Sequence, residues 1–208
     1  VLIMLTALAG LTGLYYMHAI YRIKARPFWN HWQVLTSFFG TMFSLGALLI
    51  GMVCVPVMLI YGENVNSLLT GLSGFIAFGL ALEGIGFIFH ARDLRRNDGE
   101  GAASYYVLNT QFGKTYIARN VSLGVYLVTT LLLSAVQTTG SREGLLLWAT
   151  LAGMILLTAL VSRALFYVIV IPTTMPGAFF WKNQGFEQHA RATGLASLPQ
   201  VGVLQTDH

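Results

Sequence analysis

The stretch LLLWATLAGMILLTALVSRALFYVIVI, Leu145 to Ile171, carries one charged residue, Arg163. At 1.5 Å per residue it exceeds what a helix needs to cross a hydrocarbon core about 30 Å thick. It lacks the strict alternation of a barrel strand, so a helix is the form that satisfies its backbone in lipid. Reading outward, four further windows of this kind run over Val1–Tyr21, Trp32–Tyr61, Leu68–His90 and Asn120–Gln137. The sequence therefore predicts an all-α, polytopic transmembrane helical bundle with five spans over residues 1–171. An interfacial C-terminal tail is expected over 172–208. Composition agrees: 55% of the 208 residues are hydrophobic, only 10% are charged, and the mean hydropathy is +0.66, far from a soluble domain of mixed composition.

The opening VLIMLTALAG has no initiator Met and already lies inside an apolar run, without the basic start of a secretory signal, so an incomplete N-terminus is expected. Cys54 is the single cysteine and falls within a span. A disulfide, a cysteine-ligated iron-sulfur cluster or a four-cysteine zinc site therefore cannot come from this chain alone, and any such cofactor is expected in a partner. The net charge of +4 reads as loop asymmetry rather than as a nucleic-acid surface. Arg22, Lys24 and Arg26 follow the first span, and Arg92, Arg95, Arg96, Lys114 and Arg119 follow the third. The Gly62–Ser67 loop has no basic residue, the turn near Gly140 has Arg142 alone, and the tail has Lys182 and Arg191. By the positive-inside rule the richer segments, tail included, face the cytoplasm.

No soluble domain, repeat or low-complexity tract interrupts the spans. The longest connection, ARDLRRNDGEGAASYYVLNTQFGKTY, exceeds an ordinary helix-helix link and suits capping a site or docking a partner. Thr36, Gly40 and Ser44, like Ser73, Ala77 and Ala81, recur at four-residue spacing and read as packing seams. In the tail, Pro176-Gly177 ends the helical pattern, Phe179, Phe180 and Trp181 suit the interface, and Gln184–Thr193 is compatible with a short surface helix.

Span directions bring most ionisable residues to one membrane face. Glu83 lies seven residues before His90 and Arg163 nine before Pro172, about 10 and 13 Å inside the boundary. A charge at mid-bilayer costs roughly 2.5 to 3.5 kcal/mol even on the lenient insertion scale, so such groups pair, face the bundle interior or line a cavity. The expectation is a Glu83 to Arg163 pair, or a polar pocket holding both, with Tyr167 beside Arg163 as a belt residue. A quinol-oxidising site needs an apolar groove, hydrogen-bond partners for the ring hydroxyls and a group that accepts a proton as electrons leave. The candidates are Glu83 as catalytic acceptor, with Arg163, Arg119, His18, His90 and Tyr167 as quinol-binding residues. Two competing readings remain open: haem held between His18 and His90, the histidines found in spans, and a small-solute transporter, for which Pro56 supplies one helix interruption without a counterpart.

Two stretches carry a family likeness: YYMHAIYRIKARPFWNHWQVLTSFFGTMFSLGALL, Tyr15 to Leu49, and SRALFYVIVIPTTMPGAFFWKNQGFEQHARATGLA, Ser162 to Ala196. Together with Arg119 at the start of its span, they resemble the membrane-anchor subunit of bacterial dimethyl sulfoxide reductases (the DmsC-like family), and specifically its last five spans. The resemblance implies an eight-helix, haem-free subunit in the bacterial cytoplasmic membrane. Such a subunit oxidises menaquinol in anaerobic respiration and passes the electrons to an iron-sulfur subunit, which feeds a molybdopterin catalytic subunit; no metal is bound by the anchor itself. It also implies both termini outside, against the charge count. The family often has a glutamate a few residues before the arginine of the last span; here that position looks like Ala159, which turns attention to Glu83. A purely structural anchor, with its quinol site in spans outside this sequence, is the alternative.

Overall fold

The computed structural model describes residues 1–24, 26–96, 100–136, 141–170 and 191–192. Among them all regular structure is helical, with no strand: α1 Leu2–Ile20, α2 Gln33–Ile60, α3 Asn66–Arg96, α4 Glu100–Thr110, α5 Gly113–Val136 and α6 Arg142–Val168. All but α4 are long and apolar enough to cross a bilayer. The chain is a multi-pass helical membrane protein. The expected tail, with its surface helix, lies outside the described residues apart from helical Arg191 and Ala192.

The spans match the expected windows to within three residues except at two ends. α3 continues six residues past His90 to Arg96, and α5 starts at Gly113 rather than Asn120. The polar residues there lower the hydropathy of a window, but they sit on helix turns that emerge into water and keep their backbone hydrogen bonds. The long connection is accordingly largely helical, because the end of α3, all of α4 and the start of α5 run through it. At the opposite membrane face α2 and α3 are joined by a tight turn in which Gly62 adopts φ +70°, the left-handed region open to glycine. α6 starts at Ser141, whose hydroxyl accepts a hydrogen bond from the Gly144 amide at 3.0 Å, with Glu143 in the first turn.

α3 is the most enclosed span and packs on α2, α5 and α4, whereas α1 touches the bundle only near its C-terminal end, where His18 is buried. The tightest seam is α2 against α3. A Cβ placed on Gly40 would lie 2.6 Å from the Gly79 carbonyl oxygen, and one on Gly79 would lie 2.7 Å from the Ser44 amide nitrogen. Backbone meets backbone here, as small residues permit in lipid. Ser44, Ser73 and Ala77 are buried as the four-residue spacing suggested.

Two apolar clusters fill the bundle. One contains Leu69, Leu72, Ile76, Leu80, Trp148, Leu151 and Ile155. The other contains Phe28, Trp29, Val34, Leu94, Leu108, Leu165, Phe166 and Ile169, so α4 contributes Leu108 to a cap over the basic end. Between them, each of the four inner spans contributes polar side chains: Ser37 and Thr41 on α2, Glu83 on α3, Arg119 on α5, Ser162 and Arg163 on α6.

Candidate functional site at the polar layer

Buried positions on α3 follow the helical repeat through Ile76, Leu80, Glu83, Gly86, His90 and Leu94. Glu83 and His90, seven apart, thus share the stripe that faces the other helices. Glu83 is 5% exposed, and its cover is Gly40: a Cβ at that position would come within 2.6 Å of Glu83 Cγ. Any larger residue on α2 would occupy the carboxyl group's space.

One side chain further along, Thr41 joins the layer together. Its Oγ1 lies 2.5 Å from Glu83 Oε1, 2.7 Å from the Ser37 carbonyl oxygen and 3.4 Å from Arg163 Nη2. A threonine hydroxyl has one proton and two lone pairs. With Glu83 ionised, Thr41 donates to the carboxylate; with Glu83 protonated, the acid donates to Thr41, which then donates to Ser37. Arg163 donates to the same oxygen in either state. The site accommodates a carboxyl group that gains and loses a proton without leaving a buried group unpaired, and this is the property a proton acceptor requires. The pairing of Glu83 with Arg163 expected from depth is therefore a bridge through Thr41 rather than direct contact.

Arg163 is half-buried, its guanidinium 4.2 Å from the centroid of the Phe38 ring. With Thr41 and Tyr167 it opens onto a groove of about 520 Å³ whose other walls are apolar, among them Leu14 and Met17 of α1 and Met42 and Leu45 of α2. Tyr167 is held by a 2.7 Å hydrogen bond between its hydroxyl and that of Tyr21. Trp29 supports the pair, stacking on Phe166 and donating from Nε1 to the Phe166 carbonyl at 2.8 Å.

Arg119 and His90 belong to a second, interior space on the other side of Glu83. They line a cavity of about 30 Å³ with Gln33, Ser37, Tyr116 and Ser162. Arg119 is 9% exposed and lies over the Phe87 ring at 3.9 Å, with Nη2 donating to Asn120 Oδ1 at 2.7 Å. His90 is enclosed between Phe28 and His31, with both ring centroids 4.8 Å away. Its Nε2 and the Ser162 hydroxyl have no hydrogen-bond partner among the described residues, and the cavity is large enough for a water to bridge them. His31 in turn bonds Asp93 Oδ2 at 2.9 Å, and Asp93 is half-exposed at the basic end.

The sequence-predicted residues therefore fall into three places. Glu83, Arg163 and Tyr167 gather at the groove or immediately behind it. Arg119 and His90 share the interior cavity. His18 lies apart on α1, beside Tyr15, with its Nδ1 buried and unpartnered among the described residues, and it lines neither space. Thr41, Asp93 and Gln33 are the polar residues that sequence reasoning missed. Comparison with protein-family models, with curated proteins and with solved structures gives no match. The functional reading therefore rests on the site's chemistry together with the sequence resemblance.

Proposed function

We propose that this chain is the membrane anchor of a respiratory molybdoenzyme of the dimethyl sulfoxide reductase type, and that it oxidises menaquinol at the groove between α1, α2 and α6. The observation that carries the reading is Thr41, which links a buried carboxyl group to an arginine at the edge of an apolar groove. In this scheme the isoprenoid tail lies along Leu14, Met17 and Leu45, and Arg163 and Tyr167 address the ring oxygens. Quinol loses two electrons and two protons on becoming quinone. The first proton passes through Thr41 to Glu83, which releases it toward the basic face and then takes the second by the same path. Both electrons leave for the iron-sulfur partner, which supplies the molybdopterin subunit. Asp93, His31 and His90 offer a route by which protons reach the aqueous basic face. The bacterial cytoplasmic membrane is the setting that the family resemblance implies.

The test compares quinol-dependent reductase turnover in native membranes carrying the wild-type chain or Glu83→Gln, with molybdenum and iron measured in the complex isolated with each. Loss of an acid-base group of this kind lowers turnover by about 10²- to 10⁴-fold, while the metal content of the isolated complex stays unchanged. Equal turnover removes Glu83 from the mechanism. A chain that isolates without molybdenum and iron overturns the anchor reading itself.

A further inference from the structure

On the side of the bundle away from the quinol groove, α3 and α5 border a cleft of about 800 Å³ whose wall at Phe87 and Tyr116 also backs the Arg119 cavity. Its mouth is basic. Arg92, Arg95 and Arg96 stand at the end of α3, and Asn120 faces them from α5. Arg95 donates to the Tyr105 hydroxyl at 2.8 Å, while Arg92 and Arg96 have no hydrogen-bond or ion-pair partner among the described residues. Below the mouth the walls turn apolar: Ile85 and Ile88 on one side, Leu123 and Leu127 on the other. From Arg92 to Ala81 the cleft follows three turns of α3, about 16 Å and so more than half of a hydrocarbon core. Glycine shapes the cleft, since a Cβ on Gly124 would meet nothing within 4 Å.

We propose that this cleft is a binding site for an anionic phospholipid, with the phosphate held by Arg92 and Arg96 and an acyl chain laid along α3 and α5. Charge complementarity selects the occupant. A neutral quinol offers no anion, and the phosphate of a zwitterionic lipid is offset by the lipid's own cation, whereas the phosphate of an anionic lipid accepts planar, charge-assisted hydrogen bonds with its charge uncompensated. Basic recesses between spans at the membrane surface hold acidic head groups for the same reason. The apolar depth separates a lipid from free phosphate, which has no use for Ile85 or Leu127.

The full chain, with whatever partners accompany it, is reconstituted in nanodiscs of mixed phosphatidylcholine and phosphatidylglycerol, and the lipid that stays bound after detergent extraction is counted by mass spectrometry. The wild-type chain is expected to retain phosphatidylglycerol well above its share of the nanodisc. Arg92→Gln and Arg96→Gln each lower that preference about fivefold, following the roughly 1 kcal/mol that each arginine contributes near a charged surface. Gly124→Leu fills the cleft without touching its charge, on a helix that accepts leucine readily, and releases the lipid altogether. Inorganic phosphate added in excess leaves retention unchanged. Three results each overturn the proposal: retained lipid that mirrors the nanodisc composition, arginine variants that behave as wild type, or displacement by phosphate alone.

Discussion

Thr41 shows how little polarity a membrane site needs when it is well placed. One hydroxyl serves a carboxyl group, a guanidinium and a main-chain carbonyl. Thr41→Val keeps the shape and removes that hydroxyl, which leaves Glu83 and Arg163 without their common partner in a poorly hydrated layer. A destabilisation of about 1–3 kcal/mol is expected, the cost of stranding buried polar groups, whereas Thr41→Ser stays close to wild type. Thermal unfolding of the detergent-solubilised protein measures both, and a valine variant as stable as the serine variant refutes the bridging role. Glu83 and Arg163 were legible in the sequence because charge in an apolar run stands out. Thr41 was not, since a helical threonine ordinarily bonds the carbonyl four residues earlier, as Thr41 also does with Ser37, and nothing in its neighbours distinguishes it from Thr130 or Thr150. Asp93 was hidden for another reason: it lies among arginines, where a carboxylate reads as one of several solvated charges.

At the scale of elements, the α2/α3 seam sets the site's dimensions. Gly40 and Gly79 bring the two backbones together, and Glu83 fits because Gly40 leaves it room. Gly79→Leu drives a side chain into the Gly40 carbonyl and the Ser44 amide, where neither neighbour can rotate away. The expected cost is about 1–3 kcal/mol or more, as for overpacking elsewhere. Gly74→Leu, on the same helix where a Cβ meets nothing within 4 Å, serves as the control and leaves stability unchanged. Yield and unfolding temperature of the two variants decide the matter; equal losses would mean that the seam is not what holds the pair. The spans themselves were legible from hydropathy, and the seam from small residues four apart. The ends of α3 and α5, and all of α4, were obscured by polar residues such as Arg95 and Lys114, which lower hydropathy without opposing a helix.

For the whole molecule, five spans joined in order put the Gly62 turn and Ser141 on one membrane face, and the segment around Lys24 and the start of α5 on the other. In a Cys54→Ser background, cysteines at Glu63 and Ser141 are expected to react with an impermeant maleimide from one side of sealed vesicles, and cysteines at Lys24 and Lys114 from the opposite side. Labelling of all four from the same side rejects the five-span path. The bundle's division into two apolar clusters separated by a polar layer was not legible in the sequence. It depends on which positions of four different helices arrive at the same depth, a property of their relative heights rather than of any one pattern.

Glu83 also bears on how the protein enters the bilayer. A lone α3 would carry an acidic group into lipid at a cost of roughly 2.5 to 3.5 kcal/mol. In the α2/α3 hairpin, closed by the short turn at Gly62, Gly40 and Thr41 already sheathe the carboxyl group before any other span arrives. The translocon is therefore best served by releasing these two helices together, and the turn that joins them on one side of the membrane becomes a timing device for a residue buried toward the other.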